Sequence, residues 1–432
     1  MTEKCVSIIG AGLAGCEAAY QLSKRNIKVK LYEMKPLKRS PAHKEDTFAE
    51  LVCSNSLRSD RPENAVGLLK SEMRLLDSLI MKAADATAVP AGGALAVDRH
   101  AFSEYITREI KNSSNIDVIS KEITSISETD GYKIIATGPL TSDSLFDDIR
   151  RVTGEDSLFF YDAAAPIVTR DSIDFTSAFE ASRYDRGSDY INCPMTSEQY
   201  NEFYKELIKA ECAVEKDFEK HIFEGCMPVE AMALRGPKTL LFGPLKPVGL
   251  IDPHTGKQPF CAVQLRKEDI HGNLFNLVGF QTHLKFSEQK RVFSLIPALK
   301  NAEFVRYGVM HRNTFLNSPK LLDEKYRLRA DKSIFFAGQI TGVEGYVESA
   351  ASGLLCGIYA SDDIYNKNSH IFSSKTAVGA LAKHISSSVS SNFQPMNINF
   401  GIIDTCDIKN KQERTSYIIE RALTEIRSYI NA

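Results

Sequence analysis

Residues 5–33 constrain this chain more than any other stretch. Cys5–Ile9 (CVSII) has the β-branched look of a buried parallel strand. Gly10-Ala-Gly-Leu-Ala-Gly15 follows at once, Cys16–Lys24 reads as a helix, and Ile27–Tyr32 reads as a second strand closed by Glu33. Gly10, Gly12 and Gly15 permit a tight turn and a close approach of backbone to a pyrophosphate. The helix behind them offers N–H groups and a positive dipole end. Glu33 lies 23 residues past Gly10 (33 − 10), where its carboxylate can accept from ribose hydroxyls. A G-x-G-x-x-G by itself is common. Set between strand and helix, with an acid closing the next strand, it predicts a dinucleotide site. NAD, FAD and S-adenosylmethionine all use this geometry.

Two later turns favour FAD. Tyr132–Ala136 reads as a strand running into Thr137-Gly138, which resembles the second FAD contact of glutathione-reductase-type flavoproteins. Ser333–Ala337 reads as a buried strand running into Gly338-Gln339, which resembles the third, where a helix N-terminus faces the flavin pyrimidine ring. A helix dipole there would stabilise the negative charge of a reduced flavin. Many relatives have Asp where Gln339 stands, so contacts through the Gln amide and backbone N–H groups are expected.

The 432 residues suggest two or three domains. Between the second and third turns the chain is rich in aromatics, prolines and turn signals. Short strands are expected at Thr239–Phe242 and Cys261–Leu265, and helices at Glu198–Lys209 and Ser287–Leu295. Elsewhere Ala65–Lys82 reads as one helix, Tyr346–Tyr359 and Lys411–Tyr429 as others, and Asn366–Ser374 and Ser386–Asn392 as polar connectors. The predicted fold is α/β. A Rossmann-like FAD-binding domain of glutathione-reductase type (residues 1–139 and 326–432, the latter with C-terminal helices) carries an inserted α+β substrate or RNA domain (140–325).

Lys and Arg number 53 against 55 Asp and Glu, so this is no bulk-basic nucleic-acid binder; any RNA must be held by a local patch. The nine cysteines contain no C-x-x-C pair, which leaves zinc-ribbon and thioredoxin readings unsupported and suggests reduced thiols in a cytoplasmic protein. The N-terminus does not read as a signal peptide, and no membrane span is expected.

The segment from Gly338 to Gly353 (GQITGVEGYVESAASG) resembles two bacterial families of tRNA-modifying flavoproteins. One installs carboxymethylaminomethyl groups at the wobble uridine and carries a long helical C-terminal domain, for which this chain has little room. The other is the folate- and FAD-dependent tRNA uracil-5-methyltransferase family. Several stretches resemble that family only: VCSNSLRS (52–59), VPAGGALAVDR (89–99), ATGPLTS (136–142), FYDAAAPIV (160–168), FEGCMPVE (223–230), FGPLKPVGLIDP (242–253), MHRNTF (310–315) and NFQPMNINFG (392–401). They span nearly the whole chain in one order. The chain departs from the pattern at 372–381 (FSSKTAVGAL), where the family tends to have prolines and which reads as a connector, and beyond Ile402.

The resemblance implies that methylenetetrahydrofolate and reduced FAD convert a T-loop uridine of tRNA to 5-methyluridine, with NAD(P)H reducing the flavin. Uracil C5 is too weak a nucleophile to attack a one-carbon unit. Thiolate addition at C6 turns C5 into an enolate carbon, and a thiolate both attacks and leaves well. Cys226, in the turn FEGCMP, is the candidate nucleophile. Cys53, in a polar Ser/Asn loop, is the second catalytic thiol, either abstracting the C5 proton or protecting a flavin-borne methylene; the other seven cysteines read as packing. Tyr346 stacks near the isoalloxazine or on the target base, or simply packs on the core. Candidate RNA contacts are Arg58 and Arg61; Arg235, Lys238 and Lys246; Lys290 and Arg291; Arg306 and Arg312. His311 fits folate, RNA or a structural role equally. The same chemistry on a 23S rRNA uridine, an NAD(P)H–flavin oxidoreductase without RNA, an S-adenosylmethionine methyltransferase and a non-catalytic RNA-binding flavoprotein stay open.

Overall fold

Five parallel strands form the sheet that the opening motif anticipates, in the order Ile334–Phe336, Tyr132–Ile135, Cys5–Ile9, Lys28–Glu33, Ile116–Ser120. Cys5–Ile9 lies at its centre and is buried from Val6 onward, because parallel strands are covered on both faces. All three glycine-containing turns leave the carboxyl ends of these strands, the edge at which open α/β sheets bind ligands. The computed structural model describes residues 4–154, 158–163, 165–213, 227–268, 271–308, 310–368, 370–387, 393 and 395–431; at 158–163 and 310–313 it describes the strand path only.

The helix Leu13–Lys24 packs on this sheet and along the long helix Tyr346–Ile364, which is buried from Val347 to Ser361. Their contact depends on small residues. A β-carbon at Gly353 would stand 2.1 Å from the Ala14 carbonyl oxygen, so only glycine permits the approach.

Residues 165–308 build a second body around a six-stranded antiparallel sheet, ordered Phe179–Glu180, Tyr190–Met195, Cys261–Lys267, Leu274–Leu277, Ile167–Thr169, Phe304–Arg306. Helices Ser197–Lys209, Val229–Leu234 and Phe286–Phe293 pack on it, and a separate hydrophobic core runs from Val168 to Ala302. The chain passes out and back through one antiparallel pair, Leu158–Ala163 with Met310–Phe315. The whole is thus α/β with an α+β insertion.

Three expectations are corrected. Thr239–Phe242 is a single helical turn rather than a strand; four apolar residues do not distinguish the two, and Gly236-Pro237 and Gly243 bracket a turn. The stretch Ala65–Lys82 is two helices, Ala65–Leu75 and Leu79–Ala86. Asp77 at φ 59° breaks it, and the buried Glu17 carboxylate accepts from Ser78 Oγ (2.6 Å) and Ile80 N (2.9 Å) at the new N-terminus. The 372–381 stretch is more than a connector: it leads into the buried helix Ala377–Ser387, whose first amides, Ala377 N and Val378 N, donate to Glu72 at 2.7 and 2.9 Å.

Candidate active site

The three turns converge on one cleft with about 1160 Å³ of free space, part of it open to solvent. Gly10, at φ +100°, adopts the left-handed region, and a β-carbon there would lie 2.7 Å from Ala136 O. A β-carbon at Gly15 would lie 1.8 Å from Gly10 O. These two glycines pull the helix onto the turn. Gly12 differs: it lines the cleft, and a β-carbon there would meet nothing within 4 Å. Its missing side chain leaves room for a guest against the helix N-terminus, as a pyrophosphate requires. Gly138, also lining the cleft and at φ +69°, has the same open space.

Glu33 closes its strand as expected, buried at the cleft, and it also fastens the glycine turn. Its Oε2 accepts from Ala11 N at 2.8 Å and its Oε1 from Lys35 N at 3.0 Å. A carboxylate offers about four lone-pair sites, so two remain for ribose hydroxyls. Thr137 Oγ1 bonds Thr141 Oγ1 at 2.6 Å, which tightens the second turn. At the third, Gly338 N donates to Ser352 Oγ at 2.7 Å. Gln339 sits otherwise than expected: its amide nitrogen donates to both oxygens of the buried Glu344, at 2.8 and 2.7 Å. The acid absent from position 339 therefore returns five residues later, behind the amide. These residues fit FAD: an open glycine cradle, a ribose acid and a third turn at one cleft.

Tyr346 lies where this cleft meets the Cys53 loop. Its phenol oxygen accepts from Cys53 N at 2.7 Å and from Ser54 N at 3.2 Å. Burial, then the neighbouring Cys53, pushes the phenol above its usual range, so it stays a neutral hydroxyl. Three arginines complete the loop's surroundings. Arg99 donates to Leu51 O (2.9 Å) and pairs with the buried Glu268 (2.6 Å). Arg266 donates to Asn55 Oδ1 (3.1 Å) and Ser54 Oγ (2.7 Å), and Arg306 to Val52 O. Burial works against all three charges; it prevails at Arg266 and Arg306, while Glu268 and Tyr346 hold Arg99 up. Arg99, Arg266 and Arg306 each interact electrostatically with Cys53, so its sulfur lies in the field of three guanidiniums.

Sequence reading singled out Cys53, Tyr346 and Arg306 separately; it missed Arg99, Arg266, Asn55 and Glu268. Two quoted stretches carried a signal: VCSNSLRS contains Asn55, and VPAGGALAVDR ends at Arg99. Cys226 lies outside the described residues, as do the side chains of His311 and Arg312. The basic candidates divide. Arg58 pairs with buried Glu348, Arg306 serves the Cys53 loop, and exposed Arg291 pairs with Glu206 and Glu288. Arg61, Arg235, Lys238, Lys246 and Lys290 are exposed. No described helix is long and apolar enough to cross a membrane.

A profile of the family described as "Glucose inhibited division protein A" matches residues 5–368. A Listeria monocytogenes serotype 4b protein named methylenetetrahydrofolate–tRNA-(uracil-5-)-methyltransferase TrmFO is 58% identical over 429 residues, covering 98% of each chain. A protein of the same name from Acetivibrio thermocellus is 59% identical over 430 residues, covering 99% of this chain and 98% of its own. Among solved structures, Aquifex aeolicus GidA superposes with a TM-score of 0.72 at 17% identity, over 98% of this chain and 75% of that one. At that identity the likeness speaks for the fold.

Proposed function

This chain belongs to the TrmFO branch of the glucose-inhibited division protein A family, and on that premise we propose that it methylates C5 of a T-loop uridine in tRNA. The one-carbon unit comes from methylenetetrahydrofolate, and NAD(P)H returns the flavin to its reduced form between turnovers in the cytoplasm. When bound, FAD supplies the two electrons that take the transferred carbon from methylene to methyl. Gly12 and Gly138 would leave the space for it, Glu33 would accept from its ribose, and the Gly338 turn would hold its ring end. Cys226 attacks C6 of the uracil, and Cys53 removes the C5 proton so that the thiolate can leave. The three guanidiniums around Cys53 support that role, because a general base must be unprotonated when it accepts the proton. Exposed Arg235, Lys238 and Lys246 beside Phe242, itself 79% exposed, give an RNA both phosphate partners and a stacking surface.

The observation that carries this reading is the placement of Cys53: Tyr346, at the edge of the dinucleotide cleft, holds its backbone amide. The test supplies carbon-labelled methylenetetrahydrofolate, NADPH and an unmodified tRNA transcript, with Cys53→Ala and Cys226→Ala beside the wild type. Label in tRNA from the wild type, reduced at least ~100-fold in both variants, is the expected result. Label from wild type and Cys53→Ala alike would remove Cys53 from the chemistry. No label in tRNA from the wild type would remove the substrate assignment.

A further inference from the structure

The second body holds a cluster of three donors that the methylation reading does not use. Cys212, Glu230 and His283 bring a sulfur, a carboxylate oxygen and a ring nitrogen within 4.8 Å of one another. We propose that Cys212, Glu230 and His283 bind a divalent transition-metal ion, zinc by the character of the donor set. Thiolate, imidazole and carboxylate together are the donors of zinc sites.

The three donors are fixed by backbone rather than by chance rotamers. Cys212 sits opposite Leu284 in a short antiparallel bridge. Ala213 N donates to His283 O at 2.7 Å, and Lys285 N to Glu211 O at 2.9 Å, on either side of it. Glu230 lies in the first turn of the helix Val229–Leu234, which is anchored by Val229 N to Gln281 O at 2.8 Å. Its carboxylate is oriented by Thr282 Oγ1 (2.8 Å) and His283 N (2.9 Å), the outer contacts that aim a metal ligand.

Burial also favours a cationic guest. His283 is 2% exposed and Glu230 3%. His283 Nδ1 stands 2.6 Å from Glu230 Oε1. Two ligands of one tetrahedral zinc stand roughly 3.3 Å apart, so the pair opens by about 0.7 Å to admit the ion. Cys212 is partly exposed, which leaves an entry path and a fourth position for water. Such an ion would join the two ends of the 213–229 stretch, and that stretch includes Cys226.

The test is on purified full-length flavoprotein produced with zinc in the medium, alongside Cys212→Ser and His283→Gln. The expected result is about one zinc per chain by elemental analysis, resistant to dialysis, and at least tenfold less in both variants. Cobalt(II) loaded into the chelator-stripped wild type should show thiolate–cobalt charge transfer and tetrahedral d–d bands beyond the flavin absorption, both absent from Cys212→Ser. Should the His283 variant misfold, Glu230→Gln replaces it in the same comparison. Wild type with negligible bound metal and no Cys212-dependent cobalt bands would overturn the proposal and leave His283 as a structural partner of Glu230 and Cys212. Equal metal in wild type and Cys212→Ser would overturn it too.

Discussion

The glycine cradle and the Cys53 loop meet at one cleft but are held in opposite ways. The cradle is shaped by what is missing: at Gly10, Gly15 and Gly353 backbone lies where a side chain would stand. The loop is shaped by what arrives from afar. Tyr346 is 293 residues from Cys53, Arg306 is 254 from Val52, and Arg266 is 211 from Asn55. At those three positions the fold is rigid by exclusion and tolerates no added atom, whereas Gly12 and Gly138 keep open space for a guest. The loop rests on separate hydrogen bonds, each removable at modest cost.

The largest effect is expected in the cradle. Gly15→Ala drives a methyl into the Gly10 carbonyl and should cost ~4 kcal/mol or more, yielding unstable protein with little bound flavin. Gly12→Ala should instead fold with near-wild-type thermal stability yet lose flavin, read from the ratio of flavin to protein absorbance. A fully yellow Gly12→Ala protein would move the pyrophosphate away from this turn.

Lys70 gives the next largest effect. Its buried ammonium donates to Leu57 O (2.8 Å) and Arg58 O (3.2 Å), at the far end of the Cys53 loop. Burial pushes it from 10.5 down to about 8. Between those two values the unfolded chain binds more protons than the folded one, so folding gains as pH rises through this window. Urea unfolding should show wild type gaining on the order of 3 kcal/mol on Lys70→Met from about pH 8 to pH 10.5, and no pH-dependent difference below pH 8. A flat difference throughout would mean that Lys70 keeps its unfolded-state pKa in the fold, with burial exerting no net effect on its charge.

The smallest effect is the sharpest on the comparison. Tyr346→Phe removes the acceptor of the Cys53 and Ser54 amides, about 1.4 kcal/mol, and should slow methyl transfer ~10-fold with the flavin spectrum and content unchanged. Loss of flavin without loss of rate per flavin would instead assign Tyr346 to the cradle.

Legibility followed the same division. The strand–glycine–helix–strand opening, Glu33 and the later turns were readable because each needs only neighbours in sequence. Local ambiguity explains the misread turn at Thr239–Phe242 and the unseen break at Asp77, which Glu17 stabilises from 61 residues before Ser78. Cys212 read as packing because neither Glu230 nor His283 is adjacent to it. Gln339 read as a lost charge because Glu344 returns only through the fold of the turn.

By itself, then, the sequence determined a dinucleotide-binding α/β fold, its carboxyl-edge cleft and, through resemblance, the two candidate thiols. A tight turn and a strand period are properties of a few consecutive residues. The tertiary structure alone decided which charges surround Cys53, which phenol holds it, and which three donors meet at Cys212. Those contacts join residues tens to hundreds of positions apart. Burial fixes their worth, because a guanidinium or carboxylate acts strongly only where water is excluded.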